Sequence, residues 1–102
     1  MIGDIRMTSK QRAYLRGLAN TIPAILQIGK NGISENLIKQ VDDALEAREL
    51  IKLTVLETSP EGTIDIANSL AQSTNSELVQ TVGNKITLFR PRKKDSKINL
   101  PK

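Results

Sequence analysis

Hydrophobic positions along the chain switch repeatedly between the 3.6-residue spacing of a helix and the short runs or alternation of a strand. Tyr14, Leu15, Leu18, Ala19 and Ile22 fall on one helical face. Thr8 opens that helix, with Gln11 three residues later completing a capping-box pattern. Arg12 and Arg16 stand four apart on one rim of the face. Asn20, Thr21 and Pro23 end it, because proline disfavours helical geometry in the residue before it. Residues 24–28 then read as a short, buried, almost wholly apolar strand. A second helix is predicted over residues 35–48, with Ser34 as N-cap and Ile33 stapling onto Ile38. Leu37, Ile38, Val41, Ala44 and Leu45 form its core stripe, while Asp42, Asp43, Glu46 and Glu49 mostly lie away from it.

Residues 50–57, rich in β-branched and aliphatic side chains, predict the second strand. Ser59, Pro60, Glu61 and Gly62 are turn material. Ile64, Ala67, Leu70 and Ala71 mark a weaker third helix over residues 63–74. Residues 78–82 and 86–89 alternate like strands around a tight hairpin turn at Gly83, Asn84 and Lys85. The order αβαβαββ makes this an α/β (α+β) chain with three helices and a mixed four-stranded sheet. Strands separated by helices pair in parallel with right-handed crossovers, and the last two form an antiparallel hairpin. Strand order does not follow from the pattern.

At 102 residues the chain fits one domain. Residues 1–7 read as a flexible N-terminus, residues 8–91 as the folded domain, and residues 92–102 as a basic tail. Either Met1 or Met7 serves as a start. The only aromatic residues are Tyr14 and Phe89, so the core is aliphatic. No apolar run approaches a membrane span, and the first residues lack the stretch of a secretory signal. The absence of cysteine fits a cytoplasmic protein.

Charge changes the picture more than composition does. Residues 1–40 carry six Lys/Arg against two acids, residues 41–89 three against eight, and residues 90–102 six against one. Basic ends around an acidic middle point to a polyanionic partner met by one side of the fold. With neither histidine nor cysteine, the commonest general base, metal ligand and thiol nucleophile are all missing. No P-loop or dinucleotide fingerprint occurs, and Asp42, Asp43 and Glu46 are adjacent helical acids of a solvated face. The reading is a non-enzyme with no catalytic residue, metal, cofactor or small-molecule substrate.

The candidate chemistry lies in Gly29-Lys30-Asn31-Gly32, between the first strand and the capped second helix. Two glycines let the chain turn with φ > 0 and leave the backbone uncovered. The helix beyond directs unpaired N–H groups and partial positive charge toward the same spot. Lys30 adds a cation without covering the amides, which suits a phosphate. This is the logic of the KH-type loop that clamps nucleic-acid backbone. The near absence of aromatics argues against base stacking, so phosphate contacts should dominate. Lys10, Arg12 and Arg16 on the first helix extend the clamp, and Arg90, Arg92, Lys93 and Lys94 form an electrostatic arm.

Leu15-Arg16-Gly17-Leu18-Ala19, followed by Ile28-Gly29-Lys30-Asn31-Gly32-Ile33, resembles the opening of the CRM (chloroplast RNA splicing and ribosome maturation) domain. Ala44-Leu45, Glu49-Leu50-Ile51-Lys52 and Leu88-Phe89-Arg90-Pro91 continue the match in register. Lys97-Ile98-Asn99-Leu100-Pro101 is similar to the ending of the small bacterial YhbY-like members. The resemblance implies a fold related to the C-terminal domain of translation initiation factor three. It implies RNA binding through Gly29, Lys30, Asn31 and Gly32, with Arg16 the basic residue of the first motif. The implied partner is large-subunit rRNA or a pre-ribosomal particle. Asn20 stands where relatives often carry histidine, residues 21–24 lack a common lysine, and Phe89 replaces a frequent tyrosine. Two other readings remain open at this point: a protein-interaction adaptor using the acidic second-helix face, and a DNA-binding architectural protein.

Overall fold

The computed structural model describes residues 7–92 together with Ile98, Leu100 and Pro101. The expectations for the N-terminal six residues, Lys93 and Lys94 lie outside the described residues. Three helices and four strands follow the expected order: α1 (Ser9–Ala19), β1 (Leu26–Ile28), α2 (Glu35–Arg48), β2 (Leu50–Val55), α3 (Thr63–Thr74), β3 (Glu77–Val82) and β4 (Lys85–Phe89). The capping box is formed, Thr8 Oγ1 accepting the Gln11 N–H and Gln11 Oε1 accepting the Thr8 N–H, both at 3.1 Å. Ser34 caps α2 by accepting the Leu37 N–H at 3.1 Å.

The sheet order is β1-β2-β4-β3, with β1 parallel to β2 and both remaining pairs antiparallel. The crossover through α3 therefore does not place β3 beside β2; β4 inserts between them. Residues alternate across this sheet. Ile51, Leu53 and Val55 of β2, with Ile86 and Leu88 of β4, join Leu37, Val41, Leu45, Ile66, Ala67 and Leu70 in the larger core beneath α2 and α3. Leu50 and Phe89 point the other way and pack with Leu15, Ala19 and Val79 under α1. The molecule thus has α1 on one face of the sheet and α2 with α3 on the other.

Several boundaries and burials differ from expectation. β1 is confined to Leu26–Ile28, although the Ile25 N–H already donates to Lys52 O at 2.9 Å. β2 stops at Val55, because the chain turns at once, with Ser59 N–H donating to Leu56 O at 3.0 Å. Tyr14 is 41% exposed, since Leu15 and Ala19 hold the centre of the buried stripe and Tyr14 sits beside it. Ile64 is 64% exposed: Ile66, Ala67, Leu70 and Thr74 set the buried stripe of α3, and Ile64 falls well outside it at about 100° per residue. Ile66, not singled out by the pattern, takes its place in the core.

Glu49 is the largest departure. It does not belong to the acidic face of α2, being only 1% exposed at the helix C-cap with φ 68° and ψ −47°. Its carboxylate accepts the Arg92 N–H at 3.0 Å and the Ile98 N–H at 3.3 Å, and its carbonyl accepts the Arg90 N–H at 2.9 Å. A positive φ is costly for a residue with a side chain. The side chain is kept there because it satisfies amides of the returning C-terminal segment, where Ile98 and Leu100 pack against the smaller core. Glu49→Ala should lower stability to urea by about 1–3 kcal/mol, leaving the part-buried Arg92 and Ile98 N–H groups without their acceptor. Glu49→Gly should cost about 1 kcal/mol less, because glycine relieves the positive φ.

Candidate nucleic-acid interface

The turn out of β1 is built by Gly29 O accepting the Gly32 N–H at 2.9 Å. Lys30 and Asn31 occupy its tip and are exposed, Gly29 is half-buried, and Gly32 is buried. The two glycines prove unlike each other. Gly32 adopts φ +59°, and an added Cβ would lie 3.0 Å from Pro60 Cγ, so the fold itself requires glycine there. Gly29 has no positive φ, and its added Cβ would make ordinary contacts, 3.5 Å from Thr58 Oγ1 and 3.7 Å from Leu56 Cδ1. The expectation of two φ > 0 glycines is thus corrected to one.

The amides are divided in the same way. The Gly32 N–H is used inside the turn and the Leu37 N–H by Ser34 Oγ. The tip at Lys30 and Asn31 lies open, next to the first turn of α2, whose leading N–H groups have no acceptor within the helix. Glu57 and Glu61 are exposed on the neighbouring turn that carries Thr58 and Pro60. An anion is therefore disfavoured on that flank and favoured on the lysine side.

The predicted basic residues separate into two groups. Arg16 and Lys10 are exposed on α1. Arg12 is partly committed within the fold, its Nη1 donating to Leu78 O at 2.7 Å and Val79 O at 3.0 Å, at the irregularity in β3. Arg90 is committed more fully and departs from the expected electrostatic arm. Its Nη1 donates to Asp42 Oδ1 and Thr74 O, both at 2.7 Å, and its Nη2 to Asp42 O at 3.1 Å and Glu46 Oε1 at 3.4 Å. With a side chain only 20% exposed, Arg90 clasps the end of α3 to α2. Arg92 is half-buried, its N–H on Glu49, and Pro101 O accepts Gln11 Nε2 at 3.0 Å. The described tail residues are packed against the domain.

The structure also collects lysines that the sequence reading passed over. Lys52 pairs with Thr87, and Thr54 with Lys85, across β2 and β4, on the sheet face that carries α1. The signal was present: both strands place a lysine and a threonine two apart among apolar residues, which marks one polar face. Among the described residues no helix is long and apolar enough to cross a membrane, and no cluster of three or more potential metal ligands occurs.

The profile of the CRS1 / YhbY (CRM) domain matches residues 7–90. The chain belongs to this family. Over 95 residues it is 45% identical to the "Probable RNA-binding protein YqeI" of Bacillus subtilis, covering 93% of this chain and 99% of that one. A Haemophilus influenzae protein named "RNA-binding protein" is 33% identical over 96 residues, covering 94% of this chain and 96% of its own length. The solution structure of a hypothetical protein from Staphylococcus aureus superimposes with a TM-score of 0.79 at 49% identity, covering 94% of this chain and all of the other. The αβαβαββ arrangement with its mixed sheet is therefore the CRM fold.

Within this CRM domain the unequal glycines make a direct stability prediction. Gly32→Ala should lose about 1–3 kcal/mol in urea unfolding, from the left-handed φ and the contact with Pro60. Gly29→Ala should remain within about 0.5 kcal/mol of the parent.

Proposed function

We propose that this protein is a non-catalytic RNA-binding protein that grips sugar-phosphate backbone at residues 29–32. The observation that carries the reading is Gly29. The fold leaves room for a Cβ there and asks for no positive φ, yet the position holds the one residue that leaves the backbone bare beside an exposed lysine. Bare backbone is what close approach of a phosphate needs, and Lys30 supplies the charge. The names of the relatives support the same reading. Lys10 and Arg16 extend the contact along α1. Arg12 and Arg90 act chiefly inside the fold, holding α1 to β3 and α2 to α3.

In the finer reading, the RNA is large-subunit rRNA in a pre-ribosomal particle, and the protein assists assembly in the cytoplasm. The adaptor reading loses support, because Asp42 and Glu46 already face the Arg90 guanidinium and Asp43 pairs with Lys39 at 3.2 Å. The architectural DNA reading is separated by competition between duplex DNA and rRNA at matched salt, where this account expects rRNA to win through its shape and 2′-hydroxyls.

Replacing Lys30 and Asn31 together by aspartate should leave the thermal melt unchanged and weaken filter binding of a large-subunit rRNA transcript at least tenfold. Undiminished affinity in that variant would overturn the clamp. Crosslinking in cells followed by sequencing should recover large-subunit rRNA; recovery of tRNA or mRNA in its place would refute the ribosomal assignment.

A further inference from the structure

The sheet face beneath α1 is only half covered. α1 packs over Leu50, Phe89 and Val79 at one end. Beyond it, the pairing register lines up two rows of side chains on the same face. Lys52, Thr87 and Gln80 form the first row; Gln27, Thr54, Lys85 and Val82 form the second. Gln27 and Lys85 are exposed and Val82 is 60% exposed, so among the described residues nothing covers the second row. Thr54 and Thr87 are buried between these longer neighbours and form a floor. The second row ends at the same edge of the sheet as the turn of residues 29–32, because β1 and β2 run parallel and both leave the sheet there.

Charge on this face is mostly of one sign. α1 and the polar rows carry Lys10, Arg12, Arg16, Lys52 and Lys85 against Glu77 among the described residues, and the exposed Glu57 and Glu61 stand on the turn that leaves β2 beyond the second row. Arg12 lies on the flank of α1 over β3, where it reaches the Leu78 and Val79 carbonyls, while Gln11 reaches Pro101; the exposed Arg16 stands one helical turn beyond Arg12. Lys52 and Lys85 are diagonal neighbours across β2 and β4, a relation that spaces residues about 7–8 Å apart. No salt bridge to either is present among the described residues. Two cations held that close without an acid repel each other, and a polyanion laid across them removes the repulsion.

We infer that this half-open face is a second RNA-contact surface, on which Lys52 and Lys85 hold backbone phosphates between Arg16 of α1 and the loop at Lys30. The inference rests on the RNA-binding reading above but on different residues. With no aromatic side chain in either row, the contact is made to phosphate and sugar and is independent of base identity. It lengthens the footprint from one turn to the breadth of the sheet.

The test uses the full chain and a large-subunit rRNA transcript. Lys52→Gln with Lys85→Gln should reduce affinity about tenfold and lower the slope of log K against log salt by about 1.5, the loss of two phosphate contacts. Lys52→Arg with Lys85→Arg should bind like the parent. A measurement without mutation uses acetylation of surface lysines read by mass spectrometry. Bound RNA should shield Lys52 and Lys85 and leave Lys39, paired with Asp43 on α2, as reactive as before. Unshielded Lys52 and Lys85, or an unchanged salt slope in the glutamine variant while the aspartate variant of Lys30 and Asn31 loses binding, would overturn the second surface and spare the loop. Full binding by both variants would remove the loop reading as well. Equal shielding by polyglutamate at matched charge would also overturn it, marking a dock for acidic protein.

Discussion

Parallel pairing of β1 with β2 is the constraint from which the functional geometry follows. A parallel partner cannot be reached by a hairpin, so the chain must leave β1, cross the sheet face through α2 and re-enter the sheet beside β1. Only residues 29–34 separate the strand from the helix, and the turn must close within them. Gly32 makes that possible by taking a left-handed conformation against Pro60. The consequence is a tip at Lys30 and Asn31, thrust out at the sheet edge where a helix begins. A hairpin at this point would have left no helix start beside the tip.

The same architecture sorts charge. The layer of α2, α3 and their turns holds Glu35, Asp42, Asp43, Glu46, Glu57, Glu61 and Asp65, whereas the α1 layer and the polar sheet face hold mostly lysine and arginine. Lys39 and Arg48 of α2 offset part of this acidity, and Arg90 ties the end of β4 to it, its guanidinium drawn onto Asp42 and Glu46. A chain of modest net charge thereby presents one basic and one acidic face, and it is the separation that creates an anion-seeking surface. Glu49 adds to the separation by turning its carboxylate inward onto the amides of Arg92 and Ile98.

What the sequence revealed and what it hid divide along physical lines. Element order, both side-chain caps and the site of the turn were legible, because each is set by residues within one turn of one another: Thr8 with Gln11, Ser34 with Leu37, Gly29 with Gly32. Features depending on distant partners were not. Glu49 read as a solvated helix acid because the amides it serves lie more than forty residues away. Arg90 read as part of a loose arm because its acceptors lie on α2 and α3. Ile64 fits an apolar helical pattern by type but misses the stripe that Ile66, Ala67 and Leu70 settle together. Lys52 and Lys85 became neighbours only once β4 inserted between β2 and β3, an order that pattern alone leaves undetermined.

The central claim is that RNA meets this protein at the outward bend between β1 and α2. Amide resonances followed during titration of ¹⁵N-labelled protein with RNA address it most directly. The account predicts that Lys30, Asn31 and the first turn of α2 shift early and together, while Asp42 and Asp43 stay in place. Movement confined to the acidic face of α2, with the bend unmoved at saturating RNA, would contradict it.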